Sequence, residues 1–131
     1  MAKNVTTISE EGFSATTEIR EFETTLDSAG EEGPDTIEAL LAAYASCYVP
    51  ALRVGGRQRG ADDLGRIEID VTGELTDDDK LESTEFAVRV EADVDDETAE
   101  KVVARADELC KVHDALKDSV RAETTIEGDA F

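Results

Sequence analysis

The stretch from Gly33 to Cys47 reads GPDTIEALLAAYASC and, with the residues YVPAL that follow it, is the most apolar part of the chain. Asp35 is a good helix N-cap, and Glu38, three positions later, completes the pattern of a capping box, in which each residue binds the backbone N–H of the other. We therefore predict a helix that begins after Asp35 and is buried on most sides. Pro50 is expected to kink or end this helix a little after Cys47, because proline lacks the N–H that a helix interior requires.

Shorter periodic segments surround this helix. Before it, residues 5–26 alternate between apolar and polar side chains as strands do, and the stretch DSAGEEGP at 27–34 predicts a loop. After it we predict, in order, a glycine-rich connection at 53–65, strands around 67–71 and 86–94, a second helix running to about Cys110, and a last strand at 120–126. The order of strands, helix, strands, helix and strand indicates the α+β class. No repeat or linker is visible, so we predict a single domain over residues 1–131.

The charge balance of the chain is strongly acidic. Its 131 residues contain 33 Asp and Glu against 13 Lys and Arg, for a formal net charge of −20. This balance excludes binding to nucleic acid through a basic face, and anionic membrane surfaces would repel the chain. Because the acidic residues are spread along the whole sequence, as in proteins that stay hydrated in molar salt, we expect a halophilic source.

Signals for secretion and membrane insertion are missing from the pattern. The N-terminus, MAKNV, lacks the apolar stretch of a secretory signal. No apolar run approaches the ~20 residues that span a bilayer. We therefore expect a soluble, cytoplasmic protein without a membrane partner.

The two cysteines are the main candidates for chemistry. Cys47 and Cys110 each lie towards the C-terminal end of a predicted apolar helix, 63 positions apart, so neither a CxxC redox motif nor a zinc knuckle is formed. His113 is the only histidine, and one imidazole with two thiols is too few ligands for a catalytic metal. Two interpretations stay open from the residues alone: both thiols are small buried hydrophobes, or they act as a redox pair.

Two segments resemble the OsmC/Ohr family. GPDTIEALLAAYASC resembles the helix that carries the family's first cysteine, where a G-P-x-x-x-E-x-L-L-x-A-x-x-x-C pattern recurs, and ARADELCKVHDAL resembles the helix end with its second cysteine. The spacing of the cysteines and the strand order also fit, so the resemblance covers nearly the whole chain. It implies an OsmC-like fold: N-terminal antiparallel strands, a central helix with the first cysteine, further strands, a second helix with the second cysteine, and a final strand. It also implies an intertwined homodimer with two active sites where the protomers meet.

The activity implied by the resemblance is that of a thiol-dependent peroxidase for organic hydroperoxides. Cys47 would be the peroxidatic residue, whose thiolate attacks the O–O bond and becomes a sulfenic acid, and Cys110 would resolve it as a disulfide. An external dithiol would then reduce the disulfide, so no bound cofactor is expected. On an ideal helix, an apolar set of residues shares the face of Cys47 and predicts a substrate pocket: Leu40, Ala43, Tyr44 and Ala51.

A cation to stabilise the attacking thiolate is the next requirement. The resemblance implies an arginine from an N-terminal strand held by a glutamate on the first helix, and the candidates are Arg20, in EIREF, and Glu38. Glu38 precedes Cys47 by nine positions, which on an ideal helix points it away, so a capping-box role is the alternative. Arg53 offers a second cation.

The second cysteine departs from the family pattern, which has Pro-Val-Ser after this position. Here Lys111 and His113 replace the proline and the serine, and they either lower the pKa of Cys110 or face solvent. The loop arginines either collect an anionic substrate or balance neighbouring acids: Arg53, Arg57 and Arg59. The second functional hypothesis is a non-catalytic protein of the same fold that binds a small apolar or thiol ligand, or a redox-responsive interaction protein.

Overall fold

A computed structural model describes residues 1–131 and has the α+β architecture that the sequence predicts. The chain divides into two compact units, residues 1–40 and residues 41–131, and each is described by itself. The elements are β1 (Thr6–Ile8), β2 (Ser14–Ile19), β3 (Phe22–Asp27), α1 (Thr36–Gln58), β4 (Ile67–Leu75), β5 (Leu81–Val90), α2 (Asp96–Leu109), α3 (Lys111–Ala115), a 3₁₀ turn (Asp118–Val120) and β6 (Glu123–Glu127).

The N-terminal unit is an antiparallel meander in the order β1-β2-β3, as the alternating pattern at 5–26 predicts. Asp27 ends β3 and organises the following loop, because its carboxylate accepts the N–H groups of Ala29 and Glu32 at 2.9 and 3.1 Å. These N–H groups, that of Glu32 first, hold the pKa of Asp27 below its ordinary value. Gly33 passes so close to β3 that a Cβ there would lie 2.5 Å from the carbonyl oxygen of Thr25.

Helix α1 begins as predicted and ends later than predicted. The capping box is present: the Asp35 N–H donates to Glu38 Oε1 at 2.9 Å, and the Glu38 N–H donates to Asp35 Oδ1 at 2.8 Å. Of the two expected effects of Pro50, a kink or an end of the helix a little after Cys47, the end is wrong, since α1 runs on to Gln58. Burial of Ala51 and Leu52 just beyond the proline favours the helix, and a buried leucine is worth ~1.5–3 kcal/mol, comparable to the ~3 kcal/mol that an interior proline costs.

The glycines after Pro50 serve helix packing. Gly55 lies inside α1 where it meets α2, and a Cβ at this position would lie 3.2 Å from the carbonyl oxygen of Val102. The absence of a side chain therefore allows the two helices to approach closely. The predicted connection at 53–65 is accordingly shorter and begins only at Arg59.

The C-terminal unit is built on a second three-stranded sheet in the order β4-β5-β6. The central strand β5 pairs antiparallel with β4 and parallel with β6, and it ends at Val90, before the predicted end at 94. Its inward side chains pack against those of α1 and α2 in one buried cluster that includes Tyr44, Tyr48, Leu52, Phe86, Val88, Val90, Val102, Ala106 and Cys110. Asp95 caps α2 by accepting the N–H of Thr98 at 2.7 Å.

Helix α1 is also long and apolar enough to cross a membrane by length and composition. The expectation that no segment approaches spanning length is therefore wrong by this criterion. Core helices of soluble proteins meet the same criterion, and α1 contributes Tyr44, Tyr48 and Leu52 to the buried cluster. Length and composition alone do not make it a membrane span.

Candidate two-cysteine site

Cys47 is a half-buried free thiol in the middle of α1. It lines a cavity of about 380 Å³ whose walls are mainly apolar and include one ammonium group: Cys47, Pro50, Ala51, Val54, Leu109 and Lys111. Of the four residues predicted to share its pocket, only Ala51 lines this cavity. Tyr44 lies in the core instead.

Cys110 occupies the junction between α2 and α3, and it is fully buried, with 1% of its surface exposed. Its N–H donates to the carbonyl of Ala106 at 2.9 Å, which closes α2, and its Sγ accepts the N–H of His113 at 3.4 Å, which opens α3. The side chain of Cys110 is therefore the N-cap of α3. This placement turns the first backbone N–H groups of α3 towards the thiols.

The surroundings of Cys47 favour its thiolate. Burial acts to raise the pKa of this thiol, but hydrogen bonds from the backbone N–H of Val112 and from the Cys110 thiol act in the opposite direction. The backbone N–H and the positive charge of Lys111 add to the lowering. The lowering causes prevail, so the pKa of Cys47 lies below its ordinary value.

The surroundings of Cys110 favour its neutral thiol. Burial is the largest cause and raises its pKa, the backbone N–H of His113 lowers it, and the neighbouring Cys47 raises it again. The suggestion that Lys111 and His113 lower the pKa of Cys110 overall is therefore wrong, because burial outweighs the N–H of His113. The charge of Lys111 acts on Cys47 instead.

Two tyrosines on α1 carry hydrogen bonds that the sequence does not reveal. The Tyr44 hydroxyl accepts the N–H of Ala122 at 2.9 Å and lies 2.6 Å from His113 Nδ1. The Tyr48 hydroxyl donates to Asp107 Oδ1 at 2.8 Å. Both rings are fully buried, and burial raises the pKa of both hydroxyls. The available signal was general: a buried tyrosine hydroxyl needs a polar partner.

Arg121 is a second group that the sequence reasoning missed. Its guanidinium donates to the backbone carbonyls at the end of α3, those of His113, Leu116 and Asp114, each at 3.0 Å. The last carbonyls of a helix lack the full set of intrahelical donors, and Arg121 adds side-chain donors to these three beside the 3.3 Å bond from the Leu116 N–H to the His113 carbonyl.

The other predicted site residues have local partners. Arg20 lies at the tip of the β2–β3 turn with a φ of +56°, 3.6 Å from the Glu21 carboxylate. Glu38 completes the capping box. Both belong to the N-terminal unit, and their assignment to the site stays a prediction. Arg53 donates to the carbonyl of Gly65 at 2.9 Å.

The fold and the site together define a class: α+β proteins in which a central helix presents a thiol to a second thiol at the end of another helix. The OsmC-like protein family model matches residues 28–125, which is most of the chain, and the chain therefore belongs to the OsmC-like family. An uncharacterized protein of Haloferax volcanii is 45% identical over 125 residues, 95% of each chain. This relative is consistent with the predicted halophilic source.

Solved structures confirm the predicted fold. The OsmC-like protein of Mycoplasma pneumoniae superposes with a TM-score of 0.80 at 16% identity, covering 98% of this chain and 96% of that one. A hypothetical protein of Aquifex aeolicus has a TM-score of 0.81 at 19% identity, with the same coverage. The organic hydroperoxide resistance protein OhrB of Bacillus subtilis has a TM-score of 0.72 at 20% identity and covers 97% and 98%. At these identities the similarity shows the fold alone.

Proposed function

We propose that this protein is a thiol-dependent peroxidase that reduces organic hydroperoxides, with Cys47 as the attacking residue and Cys110 as the resolving residue. The observation that carries the proposal is a half-buried thiol, Cys47, that lines a mainly apolar cavity and neighbours a second, fully buried thiol, Cys110. Their surroundings lower the pKa of Cys47 and raise that of Cys110, which agrees with these roles. Fold relatives such as OhrB of Bacillus subtilis are named as organic hydroperoxide resistance proteins.

The first step needs a thiolate beside an apolar binding space. The Cys47 thiolate attacks one oxygen of the hydroperoxide and gives it two electrons, so the O–O bond breaks and an alkoxide leaves. The alkoxide takes a proton from water and becomes the alcohol, while Cys47 becomes a sulfenic acid. The alkyl group would lie against Pro50, Ala51 and Val54 in the cavity.

The second step joins the two sulfurs. The Cys110 thiol is close enough to Cys47 for each to affect the pKa of the other, so it would lie next to the new sulfenic acid. Its sulfur attacks the Cys47 sulfur, the sulfenic hydroxyl leaves with the thiol proton as water, and a disulfide forms. An external dithiol would return two electrons and two protons to the pair by thiol–disulfide exchange, so the cycle requires no bound cofactor.

The assembly and the location are further parts of the proposal. OsmC/Ohr proteins are typically homodimers, and we propose the same state for this chain, acting in the cytoplasm. The net charge of such a dimer would be strongly negative, so we expect its self-association to depend on the salt concentration.

Replacement of each cysteine by serine tests the proposed cycle. Oxidation of the reduced protein by cumene hydroperoxide is followed in a stopped-flow instrument, and consumption of peroxide is followed with a dithiol donor. Cys47→Ser should abolish consumption, because serine supplies no thiolate, whereas Cys110→Ser should complete one turnover and stop recycling. Full activity in both variants would refute the proposal. A slow reaction of Cys47 in an intact fold would instead support the non-catalytic alternative, in which the cavity binds an apolar or thiol ligand.

A further inference from the structure

A set of hydrogen-bonding side chains includes His113, next to Cys110, and contains no residue that lines the cavity of Cys47. The His113 ring is 13% exposed, and its Nδ1 lies 2.6 Å from the Tyr44 hydroxyl on α1. Asp107 on α2 approaches the same nitrogen no closer than 3.9 Å, which is beyond hydrogen-bond distance, and accepts the Tyr48 hydroxyl instead. The catalytic cycle proposed above uses none of these side chains directly.

The partners of the Tyr44 hydroxyl determine which atom carries the proton. This oxygen accepts the N–H of Ala122, so its own proton is free to be donated. The nearest acceptor is His113 Nδ1, and a neutral imidazole accepts at one nitrogen only when the other carries the hydrogen. Donation from Tyr44 to Nδ1 therefore requires the neutral imidazole with its hydrogen on Nε2.

His113 lies in the first turn of α3, and the backbone N–H groups of this turn act on both sulfurs. The backbone N–H of His113 donates to the Cys110 sulfur at 3.4 Å, and the backbone N–H groups of Lys111 and Val112 act on Cys47, whose pKa they lower. A turn of five residues has little stability of its own and needs tertiary contacts to hold its direction. Arg121 holds its carbonyl end, and the bond from Tyr44 holds its middle.

We propose that His113 is a positioning residue: its Nδ1, held by Tyr44, keeps the first turn of α3 aimed at Cys47 and Cys110. This inference rests on the proposed function but concerns the thiolate, before any peroxide is present. The titratable and charged groups that face this turn come from α1, α2, α3 and the segment before β6: Tyr44, Tyr48, Asp107, Cys47, Cys110, Lys111 and Arg121.

Two substitutions of His113 distinguish a positioning role of its ring nitrogen from a role in packing alone. In His113→Asn the side-chain amide takes the place of Nδ1, whereas His113→Leu fills the space without an acceptor. Alkylation of Cys47 by iodoacetamide is measured against pH in the reduced proteins by peptide mass spectrometry. We expect His113→Leu to move the profile to higher pH and to slow alkylation at neutral pH by about threefold to tenfold, as one lost hydrogen bond warrants. His113→Asn should show the pH profile of Cys47 alkylation that the unmodified protein has.

Tyr48→Phe is the matched control, because it removes an equally buried hydroxyl from the same helix that has no bond to His113. We expect this variant to be less stable and to show an unchanged pH profile of Cys47 alkylation. An unchanged profile in a folded His113→Leu protein would overturn the proposal. A shifted profile without hydroperoxide consumption would count against the peroxidase and leave the positioning role standing.

The unmodified protein provides a test that needs no variant to fold. With a single histidine in the chain, its imidazole nitrogen signals are assigned without ambiguity by ¹⁵N NMR. We expect the Nε2–H tautomer at neutral pH. A hydrogen on Nδ1 would contradict the donated bond from Tyr44 and would overturn the proposal.

Discussion

The two cysteines lie next to each other yet occupy opposite environments. Cys47 is half buried inside a long helix and lines a cavity, whereas Cys110 is fully buried at a helix junction. Both thiols lose solvation, but Cys47 gains enough hydrogen bonds and positive charge to reverse the effect, and Cys110 does not. A short segment, α3, therefore differentiates two chemically identical groups.

The difference originates in the donors and charges around each sulfur. The N–H groups of Val112 and Lys111, the Cys110 thiol and the Lys111 charge all lower the pKa of Cys47, whereas Cys110 has the N–H groups of His113 and Val112 and no cation. Hydrogen bonds to an anion are stronger than those to a neutral sulfur, so the residue with more donors ionises first. The thiol that ionises first is the better attacking group, and the one that stays protonated is retained for resolution.

The largest expected effect is the order in which the two thiols become reactive towards an alkylating agent as the pH rises. A lowered pKa populates the thiolate at lower pH and a raised pKa delays it, so alkylation of Cys47 should reach its plateau at lower pH than alkylation of Cys110. At neutral pH we expect Cys47 to react about tenfold faster or more, since only the thiolate is nucleophilic and Cys110 is also shielded. Mass spectrometry of the two cysteine peptides measures both rates in one sample. Equal rates in the folded protein, as expected after denaturation, would remove the distinction.

A second test disturbs the packing between the helices that carry the thiols. Gly55→Leu places a side chain where even a Cβ is 3.2 Å from the Val102 carbonyl, so α1 and α2 must separate. We expect a loss of ~1–3 kcal/mol in the free energy of unfolding, as in other overpacked cores, and slower disulfide formation after one equivalent of hydroperoxide. Arg57→Leu, on the exposed face of the same helix, is the control and should change neither quantity. Equal losses in both variants would show that the crossing at Gly55 is unimportant.

Much of the fold was predictable because local signals agree with the packing. The capping box of Asp35 and Glu38, the alternation of the strands and the N-cap at Asp95 all act within a few residues. The end of α1 was not predictable from such signals. A proline and two glycines indicate a break locally, but burial of Leu52 and the close approach at Gly55 favour the helix, and both depend on distant parts of the chain.

The candidate site also contains some features that the sequence predicts and others that it does not. Cys47 and Cys110 were predicted as site residues from the sequence and from a family resemblance, whereas the pairing of Tyr44 with His113 joins residues 69 positions apart and appears only in three dimensions. Sequence proximity also misled the assignment of Lys111, whose neighbour in the chain is Cys110 but whose charge acts on Cys47. A side chain that begins next to one sulfur reaches the other because the backbone turns at Cys110.

The smallest expected effect concerns that lysine. Lys111→Gln removes the one charged group of the cavity and should slow Cys47 alkylation at neutral pH by about twofold to fivefold, because Lys111 is exposed and exposed charge pairs are worth ~0.2–1 kcal/mol. Lys111→Arg should retain the rate, and Lys117→Gln, an exposed lysine beyond α3, is the control for net charge. Added salt should bring the unmodified protein towards the rate of Lys111→Gln, since screening acts on the charge and leaves the backbone N–H groups in place. If Lys111→Gln changes nothing at low salt, the acidity of Cys47 comes from the backbone and the Cys110 thiol alone, and the contrast between the two thiols needs no cation.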